Sequence, residues 1–253
     1  MALLEVEGLT MSFGGVRAVK DLSFTVERGS IHSIIGPNGA GKTTVFNLLT
    51  GLHRPSAGRV LFDHRDVTAK TPCQLTRLGM ARTFQNLQIF FNMMAVENVM
   101  VGAHLRLEGR ILRSLLRLPS LVRRDRECYD EAVELMSFVG IGKHVFDGAY
   151  ALPYGALKRL EIARALAARP RLLLLDEPAA GLNPTETGEM NALIQKIAGR
   201  GVTVMLVEHD MKLVMGISQR ILVLDRGSKL FEGTAQEVSG NPEVISAYLG
   251  TAA

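Results

Sequence analysis

Ile31-His32-Ser33-Ile34-Ile35-Gly36-Pro37-Asn38-Gly39-Ala40-Gly41-Lys42-Thr43-Thr44-Val45-Phe46-Asn47-Leu48-Leu49 decides the fold of this chain. Its first five residues form a short, mostly apolar run of the kind found in buried parallel strands. Its last five read as the opening turns of a helix. Between them lies G-x-x-x-x-G-K-[ST], and strand–loop–helix is the setting in which that spacing signifies phosphate binding. Glycines let the backbone curl so that successive N–H groups converge on an anion. The helix start adds partial positive charge. Gly36, Pro37, Asn38, Gly39, Ala40, Gly41, Lys42, Thr43 and Thr44 are therefore the expected phosphate cradle. Lys42 is long enough to reach the terminal phosphates, and the Thr43 hydroxyl is a suitable Mg²⁺ ligand.

A second stretch completes the site. Leu172-Leu173-Leu174-Leu175-Asp176-Glu177-Pro178 is an apolar strand ending in two carboxylates. Ligands of open α/β sheets bind at that carboxyl edge. Asp176 is expected in the Mg²⁺ shell, and Glu177 is the expected general base for an attacking water. Val202 to Val207 is another apolar run, followed by Glu208-His209-Asp210. A parallel neighbour would bring His209 to the same edge, where an imidazole could hydrogen-bond the terminal phosphate and hold the water.

Around these motifs the chain alternates in character. The region up to Val26 is strand-rich, with Leu3–Val6 and Leu22–Val26 as expected strands. A turn at Gly51–Gly58 leads to a strand at Arg59–Asp63. Residues 86 to 150 are expected to be mostly helical. From Leu172 onward strand and helix alternate: helices at Thr185–Ala198 and Met211–Ile217, strands at Val202–Glu208 and Ile221–Asp225. That alternation predicts a parallel sheet covered by helices. A short strand, Lys229–Glu232, and a closing helix, Pro242–Leu249, follow.

The bulk numbers narrow the class. The 253 residues are 47% hydrophobic and 21% charged, an ordinary globular balance that supports one large domain, with or without a subdomain. Cys73 and Cys128 make no metal spacing and no disulfide framework, which points to a reducing compartment; both read as packing residues. The opening Met1–Glu7 has neither a basic segment nor a long apolar core, so no secretory signal is expected. No apolar run approaches the roughly 18 residues that a membrane-spanning helix needs. A net charge of +4 is compatible with nucleotide or an anionic membrane surface and assigns neither.

With these motifs in place, the chain resembles the nucleotide-binding subunits of ATP-binding cassette (ABC) transporters. The glycine loop, Asp176-Glu177 and His209 correspond to that family's Walker A, Walker B and switch-histidine patterns. The resemblance implies ATP and Mg²⁺ as cofactors and a P-loop α/β fold. That fold is a mostly parallel sheet covered by helices, with an N-terminal antiparallel β part and a helical subdomain. It further implies one cassette domain over residues 1–253, with 86–155 as the helical subdomain. Gln85 in Ala81-Arg82-Thr83-Phe84-Gln85-Asn86 looks like the Q-loop glutamine, which contacts Mg²⁺ and the water. Phe13 looks like the aromatic that stacks on adenine, usually a tyrosine; only a π face is needed.

One segment departs from the pattern. Leu152-Pro153-Tyr154-Gly155-Ala156 stands where the family has Leu-Ser-Gly-Gly-Gln. In the family this segment faces ATP held by a partner subunit, so Tyr154 and Gly155 are candidate contacts. Pro153 offers neither a hydroxyl nor a backbone N–H, so that contact is expected to be weakened. Asn183 stands where the D-loop usually has Asp.

Gln88-Ile89-Phe90, the Glu177–Pro184 segment, Glu208–Ile217 and Ala247–Gly250 look like the ATPase of high-affinity branched-chain amino acid importers, over essentially the whole chain. The resemblance implies a peripheral subunit on the cytoplasmic face of the membrane, docked on permease subunits and paired with a second cassette subunit, either related or identical. It would be served indirectly by a solute-binding protein. Urea, amides and aromatic acids are alternative solutes. Arg106, Arg110, Arg113 and Arg117 share one helical stripe, either a solvated face or a contact for the permease or lipid headgroups. Cassette ATPases acting on DNA or ribosomes need long coiled coils or two cassettes per chain, and neither is present, so no nucleic-acid partner is expected. An Asn-Lys-x-Asp motif that would mark a GTPase is also missing.

Overall fold

Strands with apolar side chains on both faces must be covered on both sides, and three such strands form the centre of the molecule. A computed structural model of the chain describes residues 1–107 and 119–249. In it β1 is Ala2–Phe13, β2 Val16–Glu27, β3 Ile31–Ile35, β4 Ala57–Phe62 and β5 Arg65–Asp66. Further along, β6 is Met80–Arg82, β7 Leu172–Asp176, β8 Thr203–Val207, β9 Arg220–Asp225 and β10 Ser228–Gly233. Every residue of β3, β7 and β8 is buried. They lie inside a sheet of order β10-β9-β3-β8-β7-β6. All of its pairs are parallel except β10 against β9. A second, antiparallel sheet has the order β2-β1-β4-β5.

The strand period of two divides the core. Leu172 and Leu174 join Val45, Phe46 and the antiparallel sheet in one apolar cluster. Leu173 and Leu175 turn the other way, toward the helices Tyr154–Ala167 and Pro184–Ala198. Because β7 and β8 run parallel with Asp176 opposite Val207, Glu177 and His209 leave the sheet at the same edge. This is the α/β architecture expected from the sequence, and both expected sheets are present.

Several local expectations need correction. The first two strands run much further than Leu3–Val6 and Leu22–Val26. They meet at a Gly14-Gly15 turn, and the breaks in pairing register between them accommodate residues that do not alternate. Residues 86–94 are not helical; the first helix beyond Gln85 is Ala95–Gly102. The reason is Asn98, fully buried, whose amide donates to the carbonyls of Phe90 and Met94 and accepts from the Phe90 N–H. Those bonds fold the preceding segment as a loop over the helix.

Cys128 packs in the core as expected, but Cys73 is exposed. On the short helix Pro72–Arg77 only Leu75 is buried. Arg106 does not extend a free basic stripe either: its guanidinium donates to Glu131, 2.8 Å away on the helix Pro119–Phe138. Arg110, Arg113 and Arg117 lie outside the described residues.

Candidate functional site

The ends of β3, β6, β7 and β8 converge on a cavity of about 370 Å³ lined by Ala18, Asn38 to Thr44, Gln85, Glu177 and His209. Residues drawn from five separate segments of the sequence therefore meet at the sheet edge where ligands of such folds bind.

The loop is built around two glycines that no other residue could replace cheaply. Gly36 has φ 154°, and a Cβ there would stand 2.2 Å from the Leu224 carbonyl oxygen. Gly41, which caps the helix Lys42–Leu49, has φ 99°, and its Cβ would meet the Ala18 carbonyl oxygen at 2.6 Å. Lys42 folds back over the loop, its ammonium donating to the carbonyls of Gly36 (2.7 Å) and Pro37 (3.0 Å). Burial pushes its pKa below the ordinary lysine value, against the pull of Glu177 and Asp176. A bound polyphosphate would favour the charged form. Thr43 is exposed at the helix start, with its hydroxyl free to meet a ligand.

Across the cavity, Glu177 is held from both sides. Gln85 Nε2 donates to one carboxylate oxygen at 3.2 Å, and His209 Nε2 donates to the other at 2.8 Å. The Glu177 backbone sits at φ 50°, in the left-handed region that non-glycine residues seldom occupy. Three bonds hold it there: its N–H donates to the Val207 carbonyl at 2.9 Å, and its own carbonyl accepts from Lys158 Nζ and from the Ala180 N–H, each at 3.2 Å. Local strain of this kind persists where neighbouring structure enforces it, often at active sites. His209 lies between a strand end and a helix start, the latter capped by Asp210, which accepts from the N–H groups of Lys212 and Leu213.

Asp176 lies beneath the loop, 2% exposed. One of its oxygens accepts from Arg82 at 2.7 Å. Arg82 also donates to Asn47 Oδ1 (2.7 Å) and Thr50 Oγ1 (3.1 Å), and it stacks between the rings of Phe46 and Phe84. The remaining Asp176 oxygen, the Thr43 hydroxyl and the Gln85 amide oxygen are hard oxygen donors of the kind Mg²⁺ takes. They are too few to fill an octahedron, so phosphate oxygens and water would supply the rest. The residues therefore fit the ion.

The geometry brings together Asn38 to Thr44, Gln85, Glu177 and His209, with Asp176 just below and with Gly36 and Pro37 joined to the site through the carbonyls that accept from Lys42. Three other expected residues lie apart from the cavity. Phe13, half-exposed, packs edge-on against His53 with ring centroids 5.4 Å apart. Tyr154 and Gly155 open the helix Tyr154–Ala167. Tyr154 rests near Gly181, and Gly155 is covered by the Glu186 carboxylate. Three residues that sequence reasoning missed now stand at the site: Arg82, Lys158 and Glu208. Their only signal in the sequence is a charged side chain beside apolar neighbours.

Comparison with known proteins places this geometry. The family profile described as "ABC transporter" matches residues 19–180. A second, described as "Branched-chain amino acid ATP-binding cassette transporter", matches residues 228–253. The chain is 47% identical over 251 residues to the high-affinity branched-chain amino acid transport ATP-binding protein BraF of Pseudomonas aeruginosa, covering 99% of this chain and 98% of that one. It is 45% identical, with the same coverage, to LivG of Escherichia coli, which bears the same description. Among solved structures, a nucleotide-free ATP-binding cassette from an ABC transporter superposes with a TM-score of 0.86 at 30% identity, covering 98% of this chain and 99% of that one. The ADP conformation of the cassette MJ1267 gives 0.85 at 29%, covering 99% of each chain.

Proposed function

The chain belongs to the ATP-binding cassette transporter family, and from that premise we propose that it hydrolyses ATP to energise a membrane importer of branched-chain amino acids. The observation that carries the reading is the Glu177 carboxylate, fixed by Gln85 and His209 across one cavity from Lys42.

The loop N–H groups and Lys42 bind the triphosphate and place its γ-phosphorus opposite Glu177. Glu177 takes the proton of a water that attacks in line. Gln85 orients that water, and His209 turns its N–H from Glu177 to the γ-phosphate as charge builds there. Thr43 and Asp176, with Gln85 nearby, would hold Mg²⁺, which would supply neutralisation of the phosphate charge. Phe13 supplies a ring face for the adenine. A second cassette subunit, related or identical, closes over the nucleotide; Tyr154 and Gly155 belong to the face this chain turns toward its partner's ATP. ATP binds the closed form more tightly, and hydrolysis releases it.

The site for the permease is a groove bounded by Gln88, Phe90, Val101, Leu105 and Arg164, next to the Gln85 segment. No helix among the described residues is long and apolar enough to cross a membrane. Docking on the permease would make the chain a peripheral subunit on the cytoplasmic face. The helices between 86 and 155 form the helical subdomain, which borders that groove on one side. A solute-binding protein acts on the permease and not on this chain.

Two measurements test the reading. Glu177→Gln should keep ATP binding and lose hydrolysis by roughly 10²- to 10⁴-fold, whereas Lys42→Ala should lose both. Full turnover in either variant contradicts the site. Uptake of labelled leucine by cells with and without the chain tests the solute, with urea and an aromatic acid as competing cargoes.

A further inference from the structure

Glu208 is 4% exposed, at the end of β8, and takes no part in the chemistry outlined above. Its Oε1 accepts the Ala179 N–H at 2.8 Å, and its Oε2 accepts the His209 N–H at 3.1 Å. The Asp210 N–H also stabilises the carboxylate. Ala179 is two residues beyond Glu177. One buried carboxylate thus joins the backbone just after the catalytic glutamate to the backbone of the histidine that contacts it. The two strand ends have one further backbone link, from the Glu177 N–H to the Val207 carbonyl. That bond fixes where the strands leave the sheet, not the turns beyond it.

Burial makes a carboxylate costly unless N–H donors satisfy it. Here burial pushes the Glu208 pKa up, the three backbone N–H groups pull it down, and the nearby Glu177 charge adds to the rise. A group kept buried next to another carboxylate, with both oxygens committed, is suited to setting geometry. We infer that Glu208 is a positioning residue for hydrolysis, clamping the turns after β7 and β8 so that Glu177 and His209 meet across the γ-phosphate position. The inference rests on the hydrolytic reading of the site.

Glu208→Gln tests it with almost no change of shape. An amide has one acceptor oxygen, so its NH₂ must face either the Ala179 or the His209 N–H, donor against donor. In the full-length chain we expect kcat to fall at least tenfold while KM and the ATP dissociation constant stay within threefold, because the Lys42 loop is untouched. Glu208→Asp keeps two acceptor oxygens on a shorter arm and should recover part of the loss.

The variant pair with His209→Ala supplies a readout that a merely structural role would not move. If Glu208 acts through His209, Glu208→Gln added to His209→Ala should slow turnover by less than threefold. A multiplicative loss, an unchanged kcat in Glu208→Gln, or a parallel collapse of ATP binding overturns the inference. Should Glu208→Gln fail to fold, Glu208→Asp takes its place: a fall in kcat of more than threefold with ATP binding kept is expected, and an unchanged kcat overturns the inference. A wild-type chain that neither binds nor hydrolyses ATP would instead overturn the proposed function, which keeps the two failures apart.

Discussion

Removing Arg82 should cost this protein more stability than any exposed substitution. Its guanidinium and the Asp176 carboxylate are 2.7 Å apart, with side chains 5% and 3% exposed. Replacing Arg82 by Met keeps the apolar contact with Phe46 and Phe84 but leaves Asp176 as an uncompensated buried charge. Breaking a buried pair in this way costs about 3–5 kcal/mol. Asn47 and Thr50 each lose a donor as well, at about 1 kcal/mol apiece where no water replaces it. We expect Arg82→Met to lose about 5–7 kcal/mol, a large share of the roughly 5–15 kcal/mol that holds a typical domain together.

The chain has no tryptophan, so the assay is urea unfolding followed by far-ultraviolet circular dichroism, without nucleotide or Mg²⁺. The double variant Arg82→Met/Asp176→Asn removes the stranded charge and should recover at least half of the loss. A loss below about 1 kcal/mol at unchanged m-value, the worth of an exposed pair, would refute the reasoning. So would losses that simply add in the double variant, since neighbours sharing a network should couple.

Two further outcomes follow from the same geometry. His32 is buried on β3, and burial first, then the Arg220 and Lys229 charges, push its pKa down to about 4 from 6.5. The unfolded chain therefore takes up a proton near pH 6.5 that the folded chain refuses until about pH 4. Stability is full above pH 6.5 and falls as the pH drops toward 4, by a limit of about 3 kcal/mol; His32→Phe should flatten this part of the stability–pH curve measured by urea midpoints. In the loop, Gly39→Ala and Gly41→Ala impose similar backbone strain, but only the Gly41 methyl meets a carbonyl oxygen, at 2.6 Å. Gly41→Ala should weaken ATP binding at least tenfold more than Gly39→Ala, as read by titration of a fluorescent nucleotide.

The sequence carried the catalytic frame because that frame is local. A strand, a glycine loop and a helix are contiguous in Ile31 to Leu49, and four leucines running into Asp176-Glu177 announce both burial and the edge at which it ends. Even the Glu177–His209 contact follows from parallel pairing of two apolar strands. Relations that depend on neighbours across space were hidden. Arg82 lies 94 residues from Asp176, and nothing near it in the chain announces the pairing. Asn98 turned an expected helix into a loop through bonds to Phe90 and Met94. Cys73 faces solvent because a short helix buries a single residue. Arg106 found Glu131 on another helix, a partner that its own stripe of arginines did not suggest.

Lys42 has a further consequence. Its ammonium is not waiting in water: it already serves two carbonyls of its own loop. That internal tether keeps the loop curled, so a nucleotide meets a finished nest and little ordering entropy is lost on arrival. It also acts as a threshold. To draw the ammonium away, a newcomer must offer acceptors better than two neutral carbonyls, and multiply charged phosphate oxygens do so through charge-assisted bonds. A nucleoside, or a monophosphate too short to reach, does not. The lysine thereby makes the loop selective for the tail of its ligand before the base is read at all.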